Sequence, residues 1–190
     1  MEEKILLVNL KDEVVGTISK MDAHTKPMLH SAFSVFIYND GKLLLQKRNI
    51  NKYHSGGLWA NSLCSHPRAN MTFDESVKNR AKFELGIDNL QYKELFKFTY
   101  LTKFNENLYE YEYDHVLLSN YDGKIDFNPD EIEAVEWVKV EDLAGDLVKN
   151  PTKYASWFLI CAPKVIEYLQ NKNTSNRWCV FCFIQSCDIY

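Results

Sequence analysis

A cysteine and a histidine lie two residues apart in the stretch WANSLCSHP, which covers residues 59–67. The thiol of Cys64 can donate or accept a proton, and the imidazole of His66 can do the same or bind a metal ion. If this stretch is extended, the two side chains point to the same face. A free cysteine is most often a small buried apolar residue. From these residues alone, a catalytic and a structural role for Cys64 are equally favoured.

Other side chains of metal-binding type lie on both sides of this stretch. His24 and His30 share one polar segment, and Glu110 and Glu112 alternate with tyrosines further on. Because strand side chains alternate, the two carboxylates face one side of a strand and the tyrosines the other. Taken alone, the paired glutamates are better interpreted as a solvated sheet face. Together with His66, the histidines and glutamates favour a site for Mn²⁺, Mg²⁺ or Zn²⁺.

A basic cluster precedes the Cys64 stretch and consists of Lys20, Lys47, Arg48 and Lys52. Most charge clusters are solvated surface, and this is the majority interpretation here as well. Because this cluster lies beside a Gly-Gly turn on an acidic protein, binding of a phosphate group is the minority interpretation. Aromatic residues such as Tyr100 and Trp157 are more often core residues, although one facing a site could stabilise a cation through its π face.

The bulk composition is that of a single globular domain. The chain has 190 residues, 46% hydrophobic and 25% charged, with a net charge of −4. This charge argues against a protein that coats nucleic acid. No apolar run is long enough to span a membrane, and no secretory signal is visible. Five scattered cysteines indicate a reduced protein and predict a cytoplasmic location.

Local patterns predict a mixed framework. We expect strands at 5–8, 14–18, 32–38, 42–48, 93–104, 108–118 and 134–140. Thr72 and Glu75 form a capping-box pattern, which predicts a helix from about 72 to 85 that ends at Gly86. Further helices are expected at 141–149 and 152–171, and residues 20–30 are expected to be irregular. The mixture lacks regular alternation of strands and helices and favours an α+β fold with a mixed or antiparallel sheet.

In order and spacing, these residues resemble the type I isopentenyl-diphosphate Δ-isomerases, a branch of the Nudix fold. The resemblance covers roughly residues 4–170, and its most specific piece is the stretch 59–67. It implies an α+β fold with a Nudix-like mixed sheet flanked by helices, an extra N-terminal hairpin and a C-terminal helix. It also implies one domain over residues 1–172. Residues 173–190 then form a C-terminal extension of unknown role, for which an edge strand, a dimer contact and a packed extension are all open.

The resemblance also implies a role for individual residues. The ligands of one divalent cation (Mn²⁺, Mg²⁺ or Zn²⁺) would be His24, His30, His66, Glu110 and Glu112. A Mg²⁺ ion bridging the substrate diphosphate would be held by Glu84 and the backbone carbonyl of Cys64. The diphosphate would be anchored by Lys20, Arg48, Lys52 and Arg80. The acid/base pair would be Cys64 and Glu112, with Tyr100 assisting Glu112 and Trp157 covering the hydrocarbon end.

The activity implied is the interconversion of isopentenyl and dimethylallyl diphosphate through a tertiary carbocation. Its partner is a small-molecule diphosphate, with no nucleic acid or membrane, and the protein is expected to be a monomer or homodimer. The alternative is a Nudix hydrolase of a nucleoside or other diphosphate. Of the helix carboxylates of such hydrolases only Glu84 has a counterpart here, which favours the isomerase. A non-catalytic metal-binding interaction domain is a third hypothesis.

Overall fold

The structure, a computed structural model, describes the backbone of residues 4–184 and the side chains of residues 4–172. Its strands are β1 (Lys4–Val8), β2 (Val14–Ser19), β3 (His30–Asn39), β4 (Lys42–Arg48), β5 (Trp59–Ala60), β6 (Leu63–Ser65), β7 (Lys93–Asn105), β8 (Leu108–Asn120) and β9 (Ile132–Lys139). Its helices are α1 (Lys20–Thr25), α2 (Phe73–Leu85), α3 (Val140–Lys149) and α4 (Ser156–Ile184), with a 3₁₀ turn at Pro151–Lys153.

The nine described strands form one mixed sheet. The main path runs β2-β1-β3-β4-β5, and β8 pairs with β3 in parallel while β7 pairs with β8 in antiparallel orientation. Strand β3 pairs with β4 only near their connecting hairpin, from Ile37 to Asn39. Further along, β6 replaces β4, so that Cys64 pairs with Ser34. The sheet therefore opens between β3 and β4, and the Cys64 stretch lies in this opening.

Helices cover both faces of the sheet, as the resemblance implied. Val77, Ala81 and Leu85 of α2 pack with sheet residues on one face, and α3 and α4 pack on the other, where Phe158 is fully buried. Burial of this apolar surface, worth roughly 25 cal/mol per Å², holds the helices against the sheet and fixes the frame of the opening.

Helix α2 begins and ends as its sequence predicts. The Thr72 hydroxyl accepts a hydrogen bond from the Glu75 N–H at 3.2 Å, and the Glu75 carboxylate accepts one from the Thr72 N–H at 2.8 Å. Gly86 ends the helix in the left-handed conformation at φ 68°. A Cβ there would lie 2.9 Å from the Asp126 carbonyl oxygen, so this position favours glycine both for its φ and for space.

Two local predictions are wrong. Residues 20–30, expected to be irregular, contain α1, whose first turn is capped by the Ser19 hydroxyl at 3.1 Å from the Asp22 N–H. Six residues are too few to show helical periodicity. The last helix begins at Ser156 rather than 152, because residues 150–155 form the 3₁₀ turn and an extended connection.

The same helix continues past 171 to Ile184, so the edge strand considered for the extension is wrong for residues 173–184. Residues 185–190 lie outside the described residues, and the domain boundary at 172 stays a prediction. No helix in the described part of the chain combines the length and apolar character that a membrane crossing requires.

Candidate active site and metal centre

Three histidines and one glutamate converge at the opening of the sheet. His24 comes from α1, His30 begins β3, His66 follows β6, and Glu112 lies beside His30 in the parallel register of β3 and β8. Their ligand atoms all lie within 4.8 Å of one another, and all four residues are buried. Helix α1 thus brings His24 to a ring distance of 5.0 Å from His30, across a segment that was predicted to be irregular.

Backbone carbonyls orient two of these imidazoles. The Nδ1 atoms of His24 and His30 lie 2.7 Å from the carbonyl oxygens of Lys20 and Met28. Since a carbonyl only accepts, Nδ1 carries a proton in both rings, and Nε2 is the ring nitrogen left to face the centre. Burial lowers the pKa of His24 to about 4 and that of His66 to about 3. His24 and His66 are therefore neutral near pH 7, and the neutral imidazole is the form that binds metals.

The donor set fits a divalent metal ion. Among the described residues, the buried Nε2 of His30 has no hydrogen-bond partner, although it lies 3.6 Å from a Glu112 carboxylate oxygen. His66 Nε2 lies 2.8 Å from the same oxygen. Buried polar groups are normally paired. Imidazoles gathered around a carboxylate, one of them with an unpaired ring nitrogen, are therefore best explained as ligands for a cation.

Tyr100 joins the two predicted carboxylates. Its hydroxyl lies 2.8 Å from Glu110 and 2.7 Å from Glu112. Burial, and then the charge of Glu112, raise the pKa of Glu110 well above its ordinary value. Burial alone would also raise the pKa of Glu112, but the imidazole of His30, 3.6 Å away, and the hydrogen-bonded imidazole of His66 hold that pKa well below the ordinary value. Glu112 is therefore the ionised member of the pair.

Cys64 presents its thiol to the same cavity from β6. Burial raises its pKa to about 12, so the group is a neutral thiol near pH 7. Its basic partner is Arg48, whose Nη1 lies 3.8 Å from the sulfur. A protonated thiol and an ionised carboxylate in one cavity are chemically equipped for proton transfer at two points of a ligand.

Four basic side chains, the anchor group, line the cavity: Lys20, Arg48, Lys52 and Arg80. Arg80 donates to Glu84 at 2.5 Å and to Glu131 at 2.5 Å, and Lys52 also pairs with Glu131. Burial lowers the pKa of Lys52 to about 8. Two members of the anchor group, Lys52 and Arg80, are therefore paired with carboxylates of α2 and of the loop before β9.

Trp157 closes the cavity from α4. The indole is 2% exposed, and its N–H donates to the Asn61 side chain at 3.0 Å. The guanidinium of Arg48 lies 5.2 Å from the ring centroid, so the π face already contacts a cation. The cavity itself measures about 40 Å³.

Most of the predicted site residues line this one cavity. They are Lys20, Arg48, Lys52, Cys64, His66, Arg80, Tyr100, Glu110, Glu112 and Trp157. The other three do not line the cavity. His24 and His30 group with the lining residues His66 and Glu112, and Glu84 accepts a hydrogen bond from Arg80.

Three residues at the site were missed by the sequence. His54 lies 3.3 Å from Glu110, Glu131 contacts two members of the anchor group, and Asn61 holds Trp157. His54 lies next to the basic cluster in the sequence, but no local pattern links it to Glu110. The other two could be found only from the packing of distant segments.

Comparison with known proteins identifies the family. The NUDIX domain family matches residues 28–158. An Isopentenyl-diphosphate Delta-isomerase 2 from Aromatoleum aromaticum is 42% identical, with 88% of each chain covered. The Isopentenyl-diphosphate Delta-isomerase of Serratia proteamaculans is 37% identical over 84% of this chain and 89% of its own.

Solved structures support the fold. A protein from Deinococcus radiodurans has a TM-score of 0.69 at 23% identity, covering 85% of this chain and 98% of its own. A MutT NUDIX hydrolase from Burkholderia pseudomallei has a TM-score of 0.59 at 22% identity, with 72% and 98% covered. Identities this low report on the fold alone. The two isomerases, in contrast, are 42% and 37% identical to this chain, and the match covers most of each protein. The chain belongs to the NUDIX domain family and, within it, to the isopentenyl-diphosphate Delta-isomerases.

Proposed function

We propose that this protein interconverts isopentenyl diphosphate and dimethylallyl diphosphate, as part of isoprenoid biosynthesis. The observation that carries the proposal is the cavity in which a neutral thiol, a tyrosine-bridged carboxylate pair and four basic side chains converge. Each of these groups has a use in moving a double bond along a chain that ends in a diphosphate.

The anchor group binds the diphosphate, which is not cleaved. Arg48 and Arg80 offer forked donors that match phosphate oxygens, and Lys20 and Lys52 add charge. Binding energy from this end positions the five-carbon chain between the catalytic groups. Glu84 and the Cys64 carbonyl would hold a Mg²⁺ ion on the diphosphate.

Cys64 and Glu112 move the protons. One group adds a proton at C4 of the alkene while the other removes a proton from C2, and the roles reverse in the opposite direction. Tyr100, within 2.7 Å of Glu112, orients that carboxylate and relays its proton. An unactivated alkene is a weak base, so the enclosed cavity must keep water out.

Trp157 stabilises the positive charge that develops at C3. Its π face accepts a cation without offering a nucleophile, and Asn61 fixes its orientation. The buried centre would hold a second divalent cation, Mn²⁺, Mg²⁺ or Zn²⁺, through His24, His30, His66, Glu110 and Glu112. When bound, that ion supplies positive charge that lowers the pKa of neighbouring acids.

Helix α2 supports the isomerase over the hydrolase alternative. Of its acidic residues, Glu75 is used in the helix cap and Asp74 pairs with Lys78 at 2.8 Å. Only Glu84 is buried. Hydrolysis by several Mg²⁺ ions needs more carboxylates than this helix offers.

The test is incubation of the protein with isopentenyl diphosphate and Mg²⁺ in deuterated water. We expect dimethylallyl diphosphate that carries deuterium, with no release of phosphate or pyrophosphate. Cys64→Ala and Glu112→Gln should abolish turnover, whereas Cys161→Ala removes a buried thiol elsewhere in the core and should retain it. Release of phosphate without deuterium incorporation would identify a hydrolase instead. Metal binding that is unaffected by Cys64→Ala, without any turnover, would indicate the non-catalytic domain.

A cytoplasmic location and a monomeric or homodimeric state complete the proposal. The odd number of cysteines fits a reducing compartment. Both described free cysteines, Cys64 and Cys161, lie within the domain. Fractionation and light scattering would check these two points.

A further inference from the structure

The five ligands expected for the buried cation do not form one equally tight group. Four of them lie within 4.8 Å of one another, and Glu110 is not among them. Glu110 instead groups with His24 and His54, again within 4.8 Å. His54 Nε2 is 3.3 Å from a Glu110 carboxylate oxygen. A fourth imidazole therefore lies on the Glu110 side of the centre.

His24 belongs to both groups and links them. Its Nδ1 is bound to the Lys20 carbonyl at 2.7 Å, which leaves Nε2 as the ligand atom. One nitrogen lone pair can bond only one metal ion. The two groups therefore cannot both hold an ion as complete and separate sites.

His54 is held firmly in place. Its ring lies 4.4 Å from both Tyr53 and Phe104, in edge-on and stacked arrangements, and its carbonyl accepts a hydrogen bond from Arg48 at 3.3 Å. A residue that served packing alone would have no need to direct Nε2 at a buried carboxylate. His54 is only 7% exposed and lines the cavity, so little of its polar edge can reach bulk water.

We propose that His54 is a further ligand of the buried metal ion, bound through Nε2 beside Glu110. The centre then offers six protein donors, four imidazoles and two carboxylates, as a six-coordinate ion requires. The inference rests on the proposed function only in taking the centre to bind a divalent cation. Glu110 lies outside the four-residue group but next to His54, so the two would bind the ion from the same side.

The test uses the full-length protein with ¹⁵N-labelled histidine and ¹¹³Cd²⁺ as the probe. Five histidines in the chain give five sets of ring-nitrogen signals. We expect ¹¹³Cd–¹⁵N coupling at His24, His30, His54 and His66. His115, which is buried and pairs with Glu94 at 2.8 Å, should show none and serves as the internal control. Absence of coupling at His54 in the wild-type protein overturns the proposal.

Matched variants measure what His54 contributes. His54→Gln keeps an N–H donor for Glu110 but removes the imidazole, and His115→Gln is its control. We expect the affinity for Zn²⁺, measured against a chromophoric chelator, to fall more than about 100-fold in His54→Gln, beyond the usual loss for an outer-shell partner. It should stay unchanged in His115→Gln. An unchanged affinity in both variants would reduce His54 to a hydrogen-bond partner of Glu110.

The coupling experiment and the isomerase assay fail separately. Coupling at His54 in a protein that does not convert isopentenyl diphosphate supports the ligand and refutes the proposed function. Turnover without coupling at His54 supports the proposed function and refutes His54 as a ligand.

Discussion

Asn61 is predicted to couple stability to catalysis. This fully buried side chain accepts a hydrogen bond from the Trp157 indole at 3.0 Å and donates to the carbonyls of Leu63 at 2.7 Å and Val35 at 3.2 Å. It therefore connects α4, β6 and β3 at the opening of the sheet. The perturbation is Asn61→Ala, which removes all three bonds.

The magnitude follows from the groups left behind. A buried polar group without a partner costs about 1–3 kcal/mol. The indole N–H of Trp157 and the carbonyls of Leu63 and Val35 all lose the partner that Asn61 supplies, so we expect the free energy of unfolding to fall by about 4 kcal/mol. The indole also loses its fixed orientation over the cavity, and a displacement of this kind should lower kcat about 100-fold.

The assay is urea unfolding followed by tryptophan fluorescence, together with kcat for isopentenyl diphosphate. Asn70→Ala is the matched control, because Asn70 is exposed, and its effect should be below about 0.5 kcal/mol. A loss below about 1 kcal/mol in Asn61→Ala would refute the count of unpaired groups. An unchanged kcat would refute the positioning role of Asn61.

Three further predictions concern the frame and the anchor group. Gly86→Ala should lower the free energy of unfolding by about 2 kcal/mol in urea, because a Cβ at φ 68° would meet the Asp126 carbonyl; a neutral result would contradict the close approach. Glu131→Gln should tighten the binding of inorganic pyrophosphate about fivefold in calorimetry, since it frees two anchor-group cations from a partly exposed ion pair; Glu133→Gln, which breaks a pair outside the cavity, should not. Hydrogen bonding, chiefly from a tyrosine hydroxyl, lowers the pKa of Asp146 from 3.8 to about 2. The advantage in Tm of the wild type over Asp146→Asn should therefore be complete above about pH 5 and disappear as the pH falls towards 2, and an advantage that persisted at pH 2 would contradict this assignment.

The sequence by itself determined the features that depend on near neighbours. The limits of α2 follow from the Thr72 capping box and from Gly86, whose capping hydrogen bonds all lie within a few residues of the helix ends. The same holds for the alternation that places Glu110 and Glu112 on one face of β8. The order of the chemically active residues also sufficed to indicate the family, because a linear order needs no coordinates.

Only the tertiary structure decided which distant groups meet. His54 reaches Glu110 because the loop after β4 folds over the opening of the sheet. Glu131 reaches Lys52 from 79 residues away in the sequence. Helix α1 escaped prediction because six residues carry too little periodicity, although its Ser19 cap was visible. The register of β3 with β6 and β8 likewise sets where His30, Cys64 and Glu112 lie, and register depends on the packing of the whole sheet rather than on any local pattern. The sequence thus predicted most of the side chains that the fold gathers at the opening, and the fold placed His54 and Glu131 beside them.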